Sequence, residues 1–483
     1  MIKNNIRAQS KLNFIPPNFN PLVLKLGMFS LPILMRVRTR PWLPAGINKV
    51  DTENIELLVQ LYDQFQKGKI RLLMAFHHPE IDDPLSIAYM LYRILPKVAQ
   101  SKGISLQKPI HTHFMYDRGM NLWAGRWLSW LFSCLGGIPI RRGKKLDLRC
   151  LQAARKILAN AKFPLTIAPE GATNGHSGII SPLESGVAQL GFWCVEDLIK
   201  SGRDEEVLIL PLGVQYYYSN PPWEKLNRLL NQLETDSGLT VQEIKYWGIN
   251  NPEKYRERIL RLAEHLTIEF EDFYRRFYHQ DLPESVITSD SEYLDLTNPE
   301  FIHHNKVLFL RIERLRQTAL EVVEKHFNLE PEGSLAKRCR RIEEATWSYI
   351  YREEYACAEE LNNLPGLQRG LADWVAKEAD LKVRHMRLVE SFVAVTADYL
   401  ENKPSFERLT EMSLLIFDML ARVKEGKIPA RPRLGKRQAR IIIGKPISVT
   451  QRWESYKSNR KAAKQAVSDL TNDLKLALES LVI

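Results

Sequence analysis

The stretch that decides the fold is IRLLMAFHHPEIDDPLS, residues 70–86, in which a run apolar but for Arg71 stops abruptly at two histidines, a proline, a glutamate and two aspartates. A short, mostly apolar run bounded by turn-forming residues predicts a strand. Three similar runs follow: KPIHTHFMY (108–116), FPLTIAP (163–169) and EVLILPLGVQYYY (206–218). Helix-like stretches lie between them, among them LDLRCLQAARKILANA (146–161) and SPLESGVAQLGFWCVEDLIKSG (181–202). Alternation of this kind predicts an α/β layered domain with a largely parallel sheet, whose sites sit just beyond strand ends.

Beyond residue 217 the texture changes to long charged segments with apolar residues at helical spacing, such as Leu308, Ile312, Leu315, Ala319 and Val322. A strand-like run returns at ARIIIGKPISV (439–449), and an amphipathic helix (461–482) ends the chain. The expected organisation is an N-terminal segment over 1–69, an α/β core over 70–217, an all-helical insertion over 218–435, and a strand and helix over 436–483 that complete the core. The composition is that of a folded protein, 45% hydrophobic and 26% charged, and its net charge of +11 suits an anionic partner. Five scattered cysteines without a CxxC pair argue against a disulfide framework or a zinc module. No aromatic-interleaved basic patch points to nucleic acid.

The segment NPLVLKLGMFSLPILMRVRTRPW (20–42) is broken by Lys25 and Pro32, too short of clean apolar length to span a bilayer. Arg36, Arg38, Arg40 and Trp42 at its end fit a helix lying in the interface of an anionic membrane, and packing on the protein's own core is the alternative. No secretory layout precedes it, so a cytoplasmic, membrane-peripheral location is expected.

The polar cluster after the first run admits two chemistries. His77, His78 and the pair His111 and His113 could ligate a metal, but the later strand ends add only His176, so no metal site is expected. Proton transfer needs less: one histidine with a carboxylate to orient it. His78 and Asp83, separated by four residues with Pro79 and Pro84 stiffening the turn, satisfy that need. Glu80, close by, is expected to push the base's pKa upward.

Three more clusters follow in order: GGIPIRRG (136–143), APEGATNGHSG (168–178) and VLILPLGV (207–214). Together with His78 and Asp83 they resemble the four motifs of the glycerolipid acyltransferase family, which includes the 1-acylglycerol-3-phosphate acyltransferases. The resemblance covers residues 70–217, with a late strand ending in Gly444–Ile447. It implies that His78 is the general base and Asp83 its orienting partner, and that Arg142 and Arg141 form a phosphate site. It also implies substrate-site roles for Pro169, Glu170, Gly171 and Pro211. A fatty acyl chain would pass from acyl carrier protein or coenzyme A to a lysophospholipid hydroxyl, without a cofactor. The third motif departs from the family, since Ala172 and Thr173 stand where threonine and arginine usually follow. That leaves another lysolipid, a glycolipid or an alcohol open as acceptor, and a non-catalytic lipid-binding or partner-recruiting module is the remaining alternative.

Overall fold

The computed structural model describes residues 6–38, 46–120, 126–140, 148–242, 250–282, 299–390, 399, 404–425 and 430–482. The chain divides into two compact units, one of residues 13–219 and 436–483, the other of residues 1–12 and 220–435. The protein is α/β, with a mixed, largely parallel sheet and many helices.

Ten strands are found among the described residues: β1 (Gln9–Ser10), β2 (Ile47–Glu53), β3 (Ile70–Phe76), β4 (His113–Asp117), β5 (Gly137–Ile140), β6 (Leu165–Ile167), β7 (Glu206–Tyr217), β8 (Tyr351–Arg352), β9 (Arg437–Ile443) and β10 (Ile447–Ser448). Eight of them form the main sheet, in the order β2-β9-β7-β3-β6-β4-β5, with β10 continuing along β7. Only the pairings of β7 with β9 and β10 are antiparallel.

β3 is buried at all seven positions, and its pleat splits the core in two. Leu72, Met74 and Phe76 face the helices α1 (Pro21–Arg36), α2 (Ile55–Gln66) and the helical run 83–101, whose first segment is α3 (Asp83–Tyr89). Leu73 and Ala75 face the helices Leu148–Asn160, Gly186–Lys200 and Arg460–Glu479. The one charge in the run, Arg71, is accommodated because its guanidinium donates to the carbonyls of Leu158 (2.7 Å) and Ala161 (2.9 Å) at the C-terminal end of a helix, where a cation is favoured. Residues 13–69, expected as a segment apart, belong to the sheet unit, and β2 is the sheet's edge strand.

α1 starts where Asn20 caps the amide of Leu22 (2.9 Å), with Pro21 pre-set for the first turn. It buries Leu24, Met28, Leu31 and Met35 against the sheet, so the core-packing expectation holds for that face. Its other face leaves Leu26 and Phe29 70% and 76% exposed, alongside Leu22 and Ile33. No helix among the described residues is long and apolar enough to cross a membrane. Arg40 and Trp42 lie outside the described residues.

Among the described residues, the other unit is helical apart from the small β1–β8 ladder. Its core gathers Tyr274, Leu320, Val323, Ile342, Ala379 and Met386 from four long helices. Buried ion pairs Arg258–Glu234 (2.7 Å) and Arg338–Glu324 (2.6 Å) join neighbouring helices within it.

Candidate active site

β3 delivers both histidines. The His77 amide donates to the Leu212 carbonyl (2.9 Å), carrying the β3–β7 ladder one residue past the strand. His78 then begins a tight turn that ends where Asp83 opens α3, with Pro84 behind it. Within this turn Asp83 Oδ2 accepts the Glu80 amide (2.9 Å) and lies 2.9 Å from His78 Nδ1. A carboxylate can only accept, so the network assigns the proton to Nδ1 and leaves the lone pair on Nε2. Nε2 has no hydrogen-bond partner among the described residues, and the His78 side chain is 18% exposed while that of Asp83 is fully buried. This is the geometry of a general base with its orienting carboxylate.

The turn is braced from two sides that the local spacing does not reveal. On one side is Glu170, whose Oε1 accepts His77 Nδ1 (2.8 Å) and the His78 amide (2.9 Å). Its Oε2 accepts Asn174 Nδ2 (2.9 Å) and the Ser181 amide (2.8 Å). His77 Nε2 meets the carbonyl of His176 (3.0 Å), so both ring nitrogens face acceptors and must donate. His77 is therefore an imidazolium. Burial pulls its pKa down, but the hydrogen bond and charge of Glu170 outweigh burial and hold it above the ordinary histidine value. Glu170 mirrors this: burial raises its pKa, and His77 with the amides brings it below the usual carboxylate range.

On the other side is Arg437, at the start of β9. Its buried guanidinium reaches Glu80 Oε1 (3.2 Å) and Asp82 Oδ2 (3.0 Å), and its carbon lies 4.6 Å from the centre of the Tyr216 ring. The Tyr216 hydroxyl donates to Asp83 Oδ1 (2.6 Å). Burial, aided by Glu80 and Asp83 and only partly offset by Arg437, pushes Asp82 up to about 7. The Glu80 carboxylate, expected to act on His78, pairs with Arg437.

His78 and Asp83 are thus brought together. Glu170 reaches the same turn, but its four hydrogen bonds all go to protein groups, so it holds the turn. Gly171, with φ of 75°, makes the corner that aims Glu170 inward, a conformation that favours glycine. Pro169 is buried and accepts the Glu184 amide (2.7 Å). Pro211 sits mid-strand in β7, opposite Ala75. Lacking an N–H, it interrupts the ladder between β9 and β10, where the Gly444 amide donates to its carbonyl (2.9 Å). A side chain on Gly444 would lie 2.8 Å from the proline ring. Arg141 and Arg142 lie outside the described residues.

His111 and His113 are spent on the backbone. His111 Nε2 bonds the Leu135 carbonyl (2.8 Å) and His113 Nδ1 that of Gly136 (2.9 Å), and burial lowers His111 to about 4. Among the described residues, no group of three or more His, Cys, Asp or Glu side chains is arranged to hold a metal ion. His77, Tyr216 and Arg437 are the site residues that motif spacing missed. The strand that carries Arg437 reads RQARIII, where Gln438 and Arg440 are polar as well, so nothing in the sequence singles Arg437 out. No family model matches the chain, and no curated protein is significantly similar to it, so the geometry of this site carries the functional reading.

Proposed function

We propose that the protein is a membrane-surface O-acyltransferase that moves a fatty acyl chain from acyl carrier protein or coenzyme A to the hydroxyl of 1-acylglycerol-3-phosphate, giving phosphatidate. The observation that carries this is the 2.9 Å contact between the partly exposed imidazole of His78 and the buried carboxylate of Asp83. His78 Nε2 takes the proton of the acceptor hydroxyl as its oxygen attacks the thioester carbonyl carbon. The new C–O bond forms, the C–S bond breaks, and the proton passes to the departing thiolate. Asp83 stabilises the intermediate imidazolium, so neither an acyl-enzyme nor a cofactor is required. On this reading Arg141 and Arg142 hold the acceptor phosphate, and residues 218–435 are a helical insertion in an acyltransferase-type domain.

The exposed face of α1 supports a cytoplasmic, membrane-peripheral location. Lys25 and Arg36 flank its apolar ridge, and exposed Trp127 and Trp130 lie on the helix Arg126–Cys134, tied to the start of α1 by the Asn20 amide on the Cys134 carbonyl (2.8 Å). Leucine, phenylalanine and tryptophan with flanking cations suit an anionic lipid interface.

The test is acyl transfer by purified protein on liposomes, with either donor and a panel of lysophosphatidate, other lysolipids, a glycolipid and simple alcohols. Transfer to lysophosphatidate that is lost in His78→Ala is expected. Transfer only to another acceptor would retain the chemistry and retire the phosphatidate product, a reading that Ala172 and Thr173 favour. Liposome binding without transfer would point to the lipid-binding module.

A further inference from the structure

The turn that carries Asp83 packs three buried carboxylates, Glu80, Asp82 and Asp83, into four consecutive positions. Like charges at this spacing repel strongly away from water. Arg437 answers two of them, meeting Glu80 and Asp82 with separate nitrogens (3.2 and 3.0 Å). Asp83 receives a different partner, the Tyr216 hydroxyl at 2.6 Å. We propose that Tyr216 and Arg437 are positioning residues of the His78–Asp83 pair, Tyr216 fixing the carboxylate from the side opposite the imidazole and Arg437 pinning the acidic turn beneath it.

The division of labour follows from charge. A cation on Asp83 would cancel the negative charge that supports an imidazolium at His78. Tyr216 is a neutral donor: burial, and then the charge of Asp83, keeps its hydroxyl protonated at any working pH. It orients Oδ1 and draws off part of its electron density without neutralising it, while Oδ2 serves the imidazole. Arg437 lies over the tyrosine ring at 4.6 Å, so the two residues form one stacked unit. Both come from strands remote in sequence, β7 and β9, which pair with each other at Tyr216 and Ala439. The H-x4-D spacing therefore supplies the pair, and the returning strand supplies its rigidity.

This inference rests on the reading of His78 as the base, but its test does not depend on turnover. In the full-length protein with isotope-labelled histidine, the pH midpoint of the His78 ring resonances is measured in the wild type, Tyr216→Phe and Arg437→Lys. His78→Gln provides the assignment. The charged and titratable groups facing the pair are His77, Glu170, Glu80, Asp82, Arg437 and Tyr216. Tyr216→Phe keeps the ring under the guanidinium and removes only the hydroxyl, so Asp83 becomes a stronger acceptor for the imidazolium. The midpoint is expected to rise by about half a pH unit, roughly threefold in proton affinity. Arg437→Lys keeps the charge but not the two-pronged contact, so the turn loosens and the midpoint falls. An unmoved or lowered midpoint in a folded Tyr216→Phe overturns the role of the tyrosine. A wild-type midpoint in Arg437→Lys overturns that of the arginine. Because no substrate is present, a protein that transfers no acyl chain still answers the question, and the two failures are separate results.

Discussion

Glu170→Gln removes one charge and almost no volume from the brace behind the candidate base. Glu170 Oε1 serves His77 Nδ1 and the His78 amide, and Oε2 serves Asn174 Nδ2 and the Ser181 amide, at 2.8–2.9 Å. All four partners donate, so an amide group placed on either side opposes two donors with two more. Breaking a buried ion pair costs about 3–5 kcal/mol, and His77 can recover part of this by losing its proton, so about 3 kcal/mol is expected. The pH dependence has two limbs. The folded-state pKa of His77 is raised, so its contribution is fully present below its unfolded value and is lost as pH rises through the folded one. That of Glu170 is lowered, so its contribution is present above its unfolded value and is lost as pH falls through the folded one. The gap between wild type and variant should therefore be widest near pH 5.5, about midway between the two unfolded values, and should close on both sides. Hydrogen exchange read on peptides from β3 and residues 168–181 measures it locally. A difference below about 1 kcal/mol, or one that is flat with pH, would show that Glu170 and His77 are not a buried ion pair.

Gly136→Ala should cost about 2–3 kcal/mol of sheet-unit stability, read by chemical unfolding. Its backbone has φ of 78°, and a Cβ there would lie 2.6 Å from His113 Nδ1, displacing the ring from its carbonyl. Phe29→Ser, at a solvent-facing position of α1, should leave stability within about 0.5 kcal/mol. It should also weaken binding to anionic vesicles about tenfold or more, and unchanged vesicle affinity would remove α1 from the membrane contact.

The parts of the fold legible in the sequence were those whose burial is continuous. β3 and β7, each covered on both faces, announce themselves as apolar runs, and the helical texture beyond residue 217 follows from periodicity alone. β2 was not legible because it is an edge strand with only Ile47 and Val50 buried, so INKVDTE carries too few apolar residues to stand out. β5, four residues containing a glycine and a proline at the opposite edge, was visible only as part of a motif. In the site, His78 and Asp83 were legible because the contact is local, five positions along the chain. Glu170, Tyr216 and Arg437 act on the same turn across 92, 133 and 357 positions, distances over which spacing says nothing. The contact of Glu80 with Arg437, 357 positions away, was equally beyond what spacing can show.

Whether His78, oriented by Asp83, is the base of an acyl transfer is read from single-turnover transfer from acyl-ACP or acyl-CoA on liposomes. The comparison is between wild type and a folded His78→Ala. Transfer by the wild type and a loss of about 10²–10⁴-fold in the variant are expected. Wild-type rates in His78→Ala, or no transfer by the wild type from either donor to any acceptor, would contradict that role.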